Sequence, residues 1–412
     1  MTGEPRGLWR HRDFMRLWGA QTISSFGARI AREGLPMTAV ITLKAGPEAL
    51  GLFAALTLGA QAALGTFAGV LADRLPRRRL LVAADLLRAA VLAAVPLAAL
   101  AGRLTLAEIY LAGVLMGAAN VVFDIADHAI LPTLIDRADL ADGNGKLATT
   151  DAAAEIGGPA IAGLLFQLVA PPLAVAVNAL TYLGSALMLG GISQRRDDPV
   201  ISMEEAAPAA FDLTAGLRLV LSHPLVGPLW RLDVARSFFG NFFAALYILL
   251  AIDVLKLTPG MLGLTVAMGG VGGLAGASVA ASVSRRLGVG PTILITGLAG
   301  GAMTFLIPLA AGRPLVAMAF LAGAQLFGDG LQTISAVAAA TLRQSVLPPE
   351  KLGVSAGAFA TGGAAAGVAG ALAGGALGAA YGARETLLIA AAGVTGACLF
   401  VLFSPLRRLK SC

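Results

Sequence analysis

Apolar residues in this chain fill long runs, broken by charged or Pro/Gly-containing segments. Twelve runs can be read, near 15–43, 49–72, 80–101, 105–131, 146–170, 172–193, 226–254, 261–283, 290–311, 315–341, 352–380 and 384–404. A bilayer core takes roughly 20 apolar residues per helix, so each run predicts a transmembrane helix. The break between the fifth and sixth runs is a Pro-Pro pair, Pro171-Pro172, with no charge. The pattern predicts an all-α membrane protein of twelve transmembrane helices.

Composition excludes the competing class. Charged residues make up 13% of the chain and hydrophobic residues 57%, whereas a soluble protein needs about 25% charge for its water-facing shell. A soluble enzyme is therefore ruled out. The 52 glycines lie inside the apolar runs, as in membrane helices that approach closely. Two cysteines, Cys398 and Cys412, form neither a disulfide framework nor a zinc cluster. The start, Met1 to Arg16, is polar and basic and reads as no cleavable leader.

The net charge of +6 sorts by side. With the N-terminus inside, the inner segments hold twenty basic residues: Arg6, Arg10, Arg12, Arg16, Arg74, Arg77, Arg78, Arg79, Arg137, Lys146, Arg195, Arg196, Arg218, Arg285, Arg286, Arg343, Lys351, Arg407, Arg408 and Lys410. The outer segments hold five, namely Lys44, Arg103, Lys256, Arg313 and Arg384. That bias is the positive-inside signal. It predicts a multi-pass protein of the cell (inner) membrane with both termini cytoplasmic. It also explains the basic balance without nucleic acid, which would need a basic face on a soluble module.

Shifting the sequence by 212 positions lays Leu17-Trp18 on Leu229-Trp230, and Pro47, Leu50, Gly51 and Leu52 on Pro259, Leu262, Gly263 and Leu264. Leu75 falls on Leu287 and Leu140 on Leu352. A parallel repeat of six spans plus six follows. Residues 1–193 form an N-terminal half, 194–225 a cytoplasmic connector, and 226–412 a C-terminal half. Within the connector, Phe211 to Leu221 predicts an amphipathic helix on the cytoplasmic surface.

The loop between spans 2 and 3 reads Gly69-Val70-Leu71-Ala72-Asp73-Arg74-Leu75-Pro76-Arg77-Arg78-Arg79. It resembles the signature loop of the major facilitator superfamily, with Pro76 where that pattern has Gly. The start Arg10-His11-Arg12-Asp13-Phe14 before Leu17-Trp18, and the region with Asp124, Leu131-Pro132 and Asn144, are similar to the macrolide-efflux and enterobactin-exporter branch, which contains drug:proton antiporters. Gly158-Pro159-Ala160-Ile161-Ala162-Gly163 resembles part of the antiporter motif, with Ala162 and Ala154 replacing two of its glycines. The resemblance implies that spans 1, 4, 7 and 10 surround a central cavity and that spans 2, 5, 8 and 11 join the halves. It also implies that Gly69, Asp73, Arg74, Arg77 and Arg78 latch the halves together.

Charges inside a span cost at least about 2.5–3.5 kcal/mol each near the centre, so they mark function by default. Arg29, Arg32 and Glu33 share one arc of span 1. Arg29 and Glu33, at i,i+4, are expected to pair and leave Arg32 for an anionic or zwitterionic cargo. Asn120 and Asn241 are candidate hydrogen-bonders of the cavity. Asp329, flanked by Gly328 and Gly330, and Glu33 are the candidate proton-coupling groups, although Asp329 can equally neutralise Arg29 or Arg32. Asp85, Arg88, Asp124, Asp127, Asp151 and Glu155 read as a gating network. Within it Asp85–Arg88 is an i,i+3 pair, and Asp124 or Asp127 is expected to meet the signature-loop arginines. Asp233 and Arg236 form another i,i+3 pair. Glycines one turn apart, at 370, 374, 378 and 382 in span 11 and around 269–276 in span 8, predict close seams.

These features point to a monomeric secondary transporter working by alternating access among membrane lipids. It would export a small amphipathic or anionic molecule, such as a drug, siderophore or metabolite, in exchange for protons. The rival readings are a carrier of lysophospholipid or a similar lipid, and a membrane sensor or assembly protein that has lost transport. No enzyme, cofactor or metal site is expected. The three histidines are scattered, there is no Walker sequence, and Gly270-x-Gly272 sits in an apolar helix with no strand before it.

Overall fold

The computed structural model describes residues 7–193 and 213–410, without the side chains of residues 66–74, 128 and 213. The described residues are helical almost throughout. The first six long helices are α1 (Arg12–Leu43), α2 (Pro47–Arg74), α3 (Arg77–Leu100), α4 (Leu106–Leu134), α5 (Leu140–Leu168) and α6 (Pro171–Gly190). A short helix, α7 (Leu213–Ser222), precedes six more. These are α8 (Val226–Val254), α9 (Pro259–Leu287), α10 (Val289–Leu309), α11 (Pro314–Val346), α12 (Pro349–Tyr381) and α13 (Ala383–Leu402). The twelve long helices answer to the twelve expected spans, α8–α13 being spans 7 to 12.

Local chemistry sets several boundaries. Thr258 accepts from the Met261 amide at 3.3 Å ahead of Pro259, and Glu108 takes the Thr105 amide at 2.6 Å to start α4. Both are N-terminal caps of a common kind. Single glycines at positive φ, Gly288 (φ 90) and Gly382 (φ 94), separate α9 from α10 and α12 from α13. A side chain would strain the backbone there.

Ten of these helices are long and apolar enough to cross a membrane by length and composition. The other two are α1 and α5, which are long but carry Arg29, Arg32 and Glu33, and Asp151 and Glu155. Leucines such as Leu97, Leu180, Leu187 and Leu315 stand out on the surface, as lipid-facing positions of a multi-pass membrane protein do.

The chain divides into two compact units, residues 1–44 with 60–209, and residues 45–59 with 210–412. In the first, α3 packs on α6 and α4, and α1 on α6, α5 and α4. In the second, α8 packs on α12 and α13, α10 on α11 and α13, and α9 on α11. The opening of α2 belongs to the second unit, where a Cβ on Gly51 would meet the Gly375 Cα at 2.7 Å. The connector up to residue 212 lies outside the described residues. Its helix is docked, Gly216 lying on the Val354 backbone of α12 and Val220 buried with Val226, Leu347 and Ala358.

The two cores share a set of corresponding residues. The first is built around Leu17, Leu81, Ala126, Ile130 and Leu189. Moving each by 212 positions gives Leu229, Ile293, Ala338, Leu342 and Val401, all members of the second core. Each core thus takes its residues from the first, third, fourth and sixth long helices of its repeat.

Candidate functional site

Among the described residues the densest ionic cluster spans α1 and α5, near the midpoint of both. Arg29 Nη2 donates to Glu155 Oε2 at 2.6 Å and Arg32 Nη2 to Glu155 Oε1 at 3.1 Å. The Arg32 Nε also lies 3.5 Å from Glu33 Oε1. Glu155 therefore has one arginine on each carboxylate oxygen. The expected Arg29–Glu33 pairing is replaced by a pairing across helices, and Arg32 already has two carboxylates. The cause is geometric. A Cβ on Gly158 would collide with the Arg29 side chain, so this glycine opens the path by which Arg29 reaches α5. One turn below, Ser25 donates to Asp151 at 2.6 Å.

Arg29, Arg32 and Glu155 are 31%, 46% and 39% exposed. All three side chains are thus only partly covered by the protein, and within the cluster each charge is compensated by an opposite one.

Asp85 and Arg88 lie apart from this cluster, inside the α1–α3–α4–α6 core. Their 3.0 Å pair is buried, with 0% and 2% of the side chains exposed. Ser24 donates toward Asp85 at 3.5 Å, and the guanidinium lies 4.3 Å from the Phe123 ring centre and 5.3 Å from that of Tyr182. The gating set expected from the sequence is thus split between two places. Asp127 accepts a hydrogen bond from Gln21. Asn120 is half-buried, its Oδ1 enclosed and without a partner among the described residues.

In the signature loop, the side chains of Gly69, Asp73 and Arg74 lie outside those described. Arg77 donates to the Ala129 carbonyl of α4 at 3.0 Å and Arg78 to the Gly190 carbonyl closing α6. The Gly190 carbonyl is a helix-end one, where cations are favoured. Asp13, ahead of the first span, accepts from the Ser193 amide at 3.2 Å and pairs with Arg16 at 3.3 Å, while Arg16 donates to the Gly191 carbonyl. Burial alone would raise the Asp13 carboxyl, but the hydrogen bonds from Ser193 and Arg16 outweigh it and hold it below the usual carboxylate value.

In the second unit, Asp329 ends a π-helical stretch, Ala324–Asp329, inside α11. Such wide turns interrupt regular winding and occur often at functional sites. Its carboxylate is set against Gly269 of α9. Asn241 donates to the Ser237 carbonyl at 2.8 Å and packs on Gly367. Arg236, rather than pairing closely with Asp233, donates to Ser335 Oγ at 3.3 Å and to Cys398 Sγ at 3.4 Å. The 212 shift places Arg236 on Ser24, Gly297 on Asp85, Ser335 on Phe123 and Cys398 on Ala186. The guanidinium occupies the volume that a side chain at 297 would fill. Both units therefore hold an arginine at one equivalent place, delivered by different helices.

The glycine stripes pack within the second unit, where Gly375 and Gly378 of α12 also meet Gly51 and Pro47 at the opening of α2. Gly370, Gly374 and Gly378 receive Phe238, Phe242 and Leu246 of α8 inside the second unit, and Gly272 and Gly276 meet the Leu326 and Gly330 carbonyls of α11.

Sequence reading missed Ser24, Ser25, Gln21 and Tyr182. A signal existed for the docking of α1 on α5. Ser25, Arg29 and Arg32 follow i, i+4, i+7, and Asp151 and Glu155 follow i, i+4, so each set shares a face. Nothing in the sequence singles out Tyr182.

The family profile of the Major Facilitator Superfamily matches residues 17–371. No curated protein sequence matches the chain. Among solved structures it is similar to the nucleoside transporter NupG, at 12% identity, covering 95% of this chain and 98% of that one with a TM-score of 0.74. It is also similar to a bacterial homologue of the iron transporter ferroportin in an inward-facing state, at 18%, 95%, 98% and 0.73. A third likeness is a bacterial homologue of the human lysosomal transporter Spinster, inward-facing and occupied, at 12%, 97%, 97% and 0.72. At such identities the likeness is one of fold. Together with the helical pattern and its two matched cores, the profile match shows that this chain belongs to the Major Facilitator Superfamily and is a membrane transporter rather than an enzyme.

Proposed function

We propose that the chain is a secondary transporter working by alternating access between two six-helix halves, driven by protons, with a small amphipathic or anionic molecule as cargo. Its place is the cell (inner) membrane with both termini in the cytoplasm, as the distribution of basic residues supports. The observation that carries the reading is the Arg29–Arg32–Glu155 cluster. Two guanidiniums with fixed fork geometry suit a carboxylate, sulfonate or phosphate head, and the apolar helices around them suit the remainder of an amphipathic cargo. The acids available for proton coupling are Glu33 and Glu155 in the first unit and Asp329 in the second. Gly158, the centre of the partial antiporter-like motif, is accounted for by the passage of Arg29, so that motif carries no direction of transport.

The test is a thermal-shift screen of the purified protein followed by flux in proteoliposomes under an imposed pH gradient. Anionic compounds are expected to stabilise the wild type and to lose that effect in Arg29→Gln and Arg32→Gln. Stabilisation by cations alone, or absence of any flux, overturns the reading.

A further inference from the structure

We propose that Glu155 is a built-in stand-in for the cargo's anionic head, so that at this cluster a proton and an anion bind together rather than in competition. This rests on the transport reading above and adds the sign of its coupling.

Glu155 uses both carboxylate oxygens, one on Arg29 at 2.6 Å and one on Arg32 at 3.1 Å. The two arginines and the two carboxylates, Glu33 and Glu155, sum to zero. An anion arriving at that neutral cluster meets guanidiniums already satisfied and must displace a carboxylate held on the same chain. Adding a proton to a Glu155 oxygen removes its charge and loosens both contacts. The cluster then carries one net positive charge, which the anion's oxygens neutralise by accepting from the same donors. Arg29 Nε, buried and without a hydrogen-bond partner among the described residues, supplies one more donor. No covalent bond changes: one proton passes from water to Glu155, and one anion replaces a carboxylate.

Linkage makes the coupling reciprocal, so the anion must raise the affinity for the proton by the factor by which the proton raises affinity for the anion. Fixed cations have the opposite linkage, since they are attracted to the ionised acids and expelled by protonation. Cotransport of an anion with protons is therefore the coupling this geometry favours, and exchange against protons requires a cationic cargo.

The other charges around Glu155 do not reverse this sign. On α5 itself, Asp151 is held by Ser25. From α1 come Arg29, Arg32 and Glu33. The packed helix α4 brings Asp124 and Asp127, with Glu108 at its far end and the His128 side chain outside those described, and α6 brings no charged residue. These charges are the same before and after the exchange, so the change across it is the single charge of Glu155.

The experiment uses the full chain in detergent and two probes whose charge does not change with pH, benzenesulfonate and benzyltrimethylammonium. Calorimetric titrations run from about pH 8 to about pH 5, around carboxylate titration, in buffers of different ionisation heat. Benzenesulfonate is expected to bind more tightly toward acid with proton uptake approaching one per ligand. Glu155→Gln should bind it on the order of tenfold more tightly near neutrality, with the pH dependence lost. The double variant Arg29→Gln with Glu155→Gln keeps the charge balance should the single variant fold poorly, and its binding should be weaker and independent of pH. Proton release on binding, or tighter binding without any change in Glu155→Gln, overturns the inference and leaves the transport reading standing. Preference for benzyltrimethylammonium, displaced by acid, overturns the anion and the cotransport together. Binding of neither probe in any variant, with no flux in proteoliposomes, overturns the transport reading as well.

Discussion

Asp85 and Arg88 hold one another at 3.0 Å within the first unit, where solvent reaches neither side chain. Removing one partner from a buried pair leaves an uncompensated charge and costs about 3–5 kcal/mol. Asp85→Ala is expected to lower Tm in detergent strongly, and Asp85→Asn less so. Replacing both residues, Asp85→Leu with Arg88→Met, should recover most of the loss, because well-packed apolar substitutes often equal a buried ion pair. If the single and double variants melt alike, the pair is not what stabilises this core.

Gly158 admits Arg29 to α5. Gly158→Ala is expected to cost about 1–3 kcal/mol through overpacking and to weaken anion binding, since it pushes the guanidinium off Glu155. Gly184 of α6 has nothing within 4 Å of a Cβ, and Gly184→Ala should be neutral or raise stability by about 0.5–1 kcal/mol. Parallel melts of the two variants separate loss of room from a general effect of replacing a helical glycine.

Gly276 approaches the Gly330 carbonyl so closely that any Cβ must move backbone. Backbone cannot swing aside as a side chain does, so Gly276→Val should separate α9 from α11 and abolish flux. Retention of wild-type flux and Tm would show that this seam is looser than the packing indicates.

Acid stability tests the tie at the start of α1. The Asp13 carboxyl is held below its usual value by Ser193 and Arg16, against the effect of burial. A depressed folded value means the tie contributes fully above the unfolded carboxylate value of about 3.9 and is lost as pH falls through the folded one. The Tm difference between wild type and Asp13→Asn should thus be constant near neutrality and shrink below about pH 4. A difference unchanged down to pH 3 would contradict it.

Much of the fold was legible because bilayer thickness forces length on apolar runs. The run at 105–131 became Leu106–Leu134 and that at 352–380 became Pro349–Tyr381. The repeat was legible too, since an offset read from Leu17 and Leu229 also relates buried Ile130 to Leu342. The π-helical turn before Asp329 was not, because it depends on how α11 fits against the backbone of α9 and leaves no mark in composition. The candidate site was half legible. In-span charges drew notice to Arg29, Arg32 and Glu155, but their partners could not be assigned from one helix. Spacing along α1 allows Glu33 for Arg29, and only the passage over Gly158 decides for Glu155.

The equivalent arginines have a consequence for how the two repeats relate. Arg88 enters its site from α3 with Asp85 as neighbour, whereas Arg236 enters the corresponding site from α8, where the position matching Asp85 is Gly297. The same spot in the two repeats is thus filled by a guanidinium arriving from different directions and meeting different neighbours, a carboxylate in one and a hydroxyl with a thiol in the other. Equivalent helices of the two lobes are therefore not interchangeable parts, since exchanging α3 for α10 would leave one lobe with two arginines at that spot and the other with none.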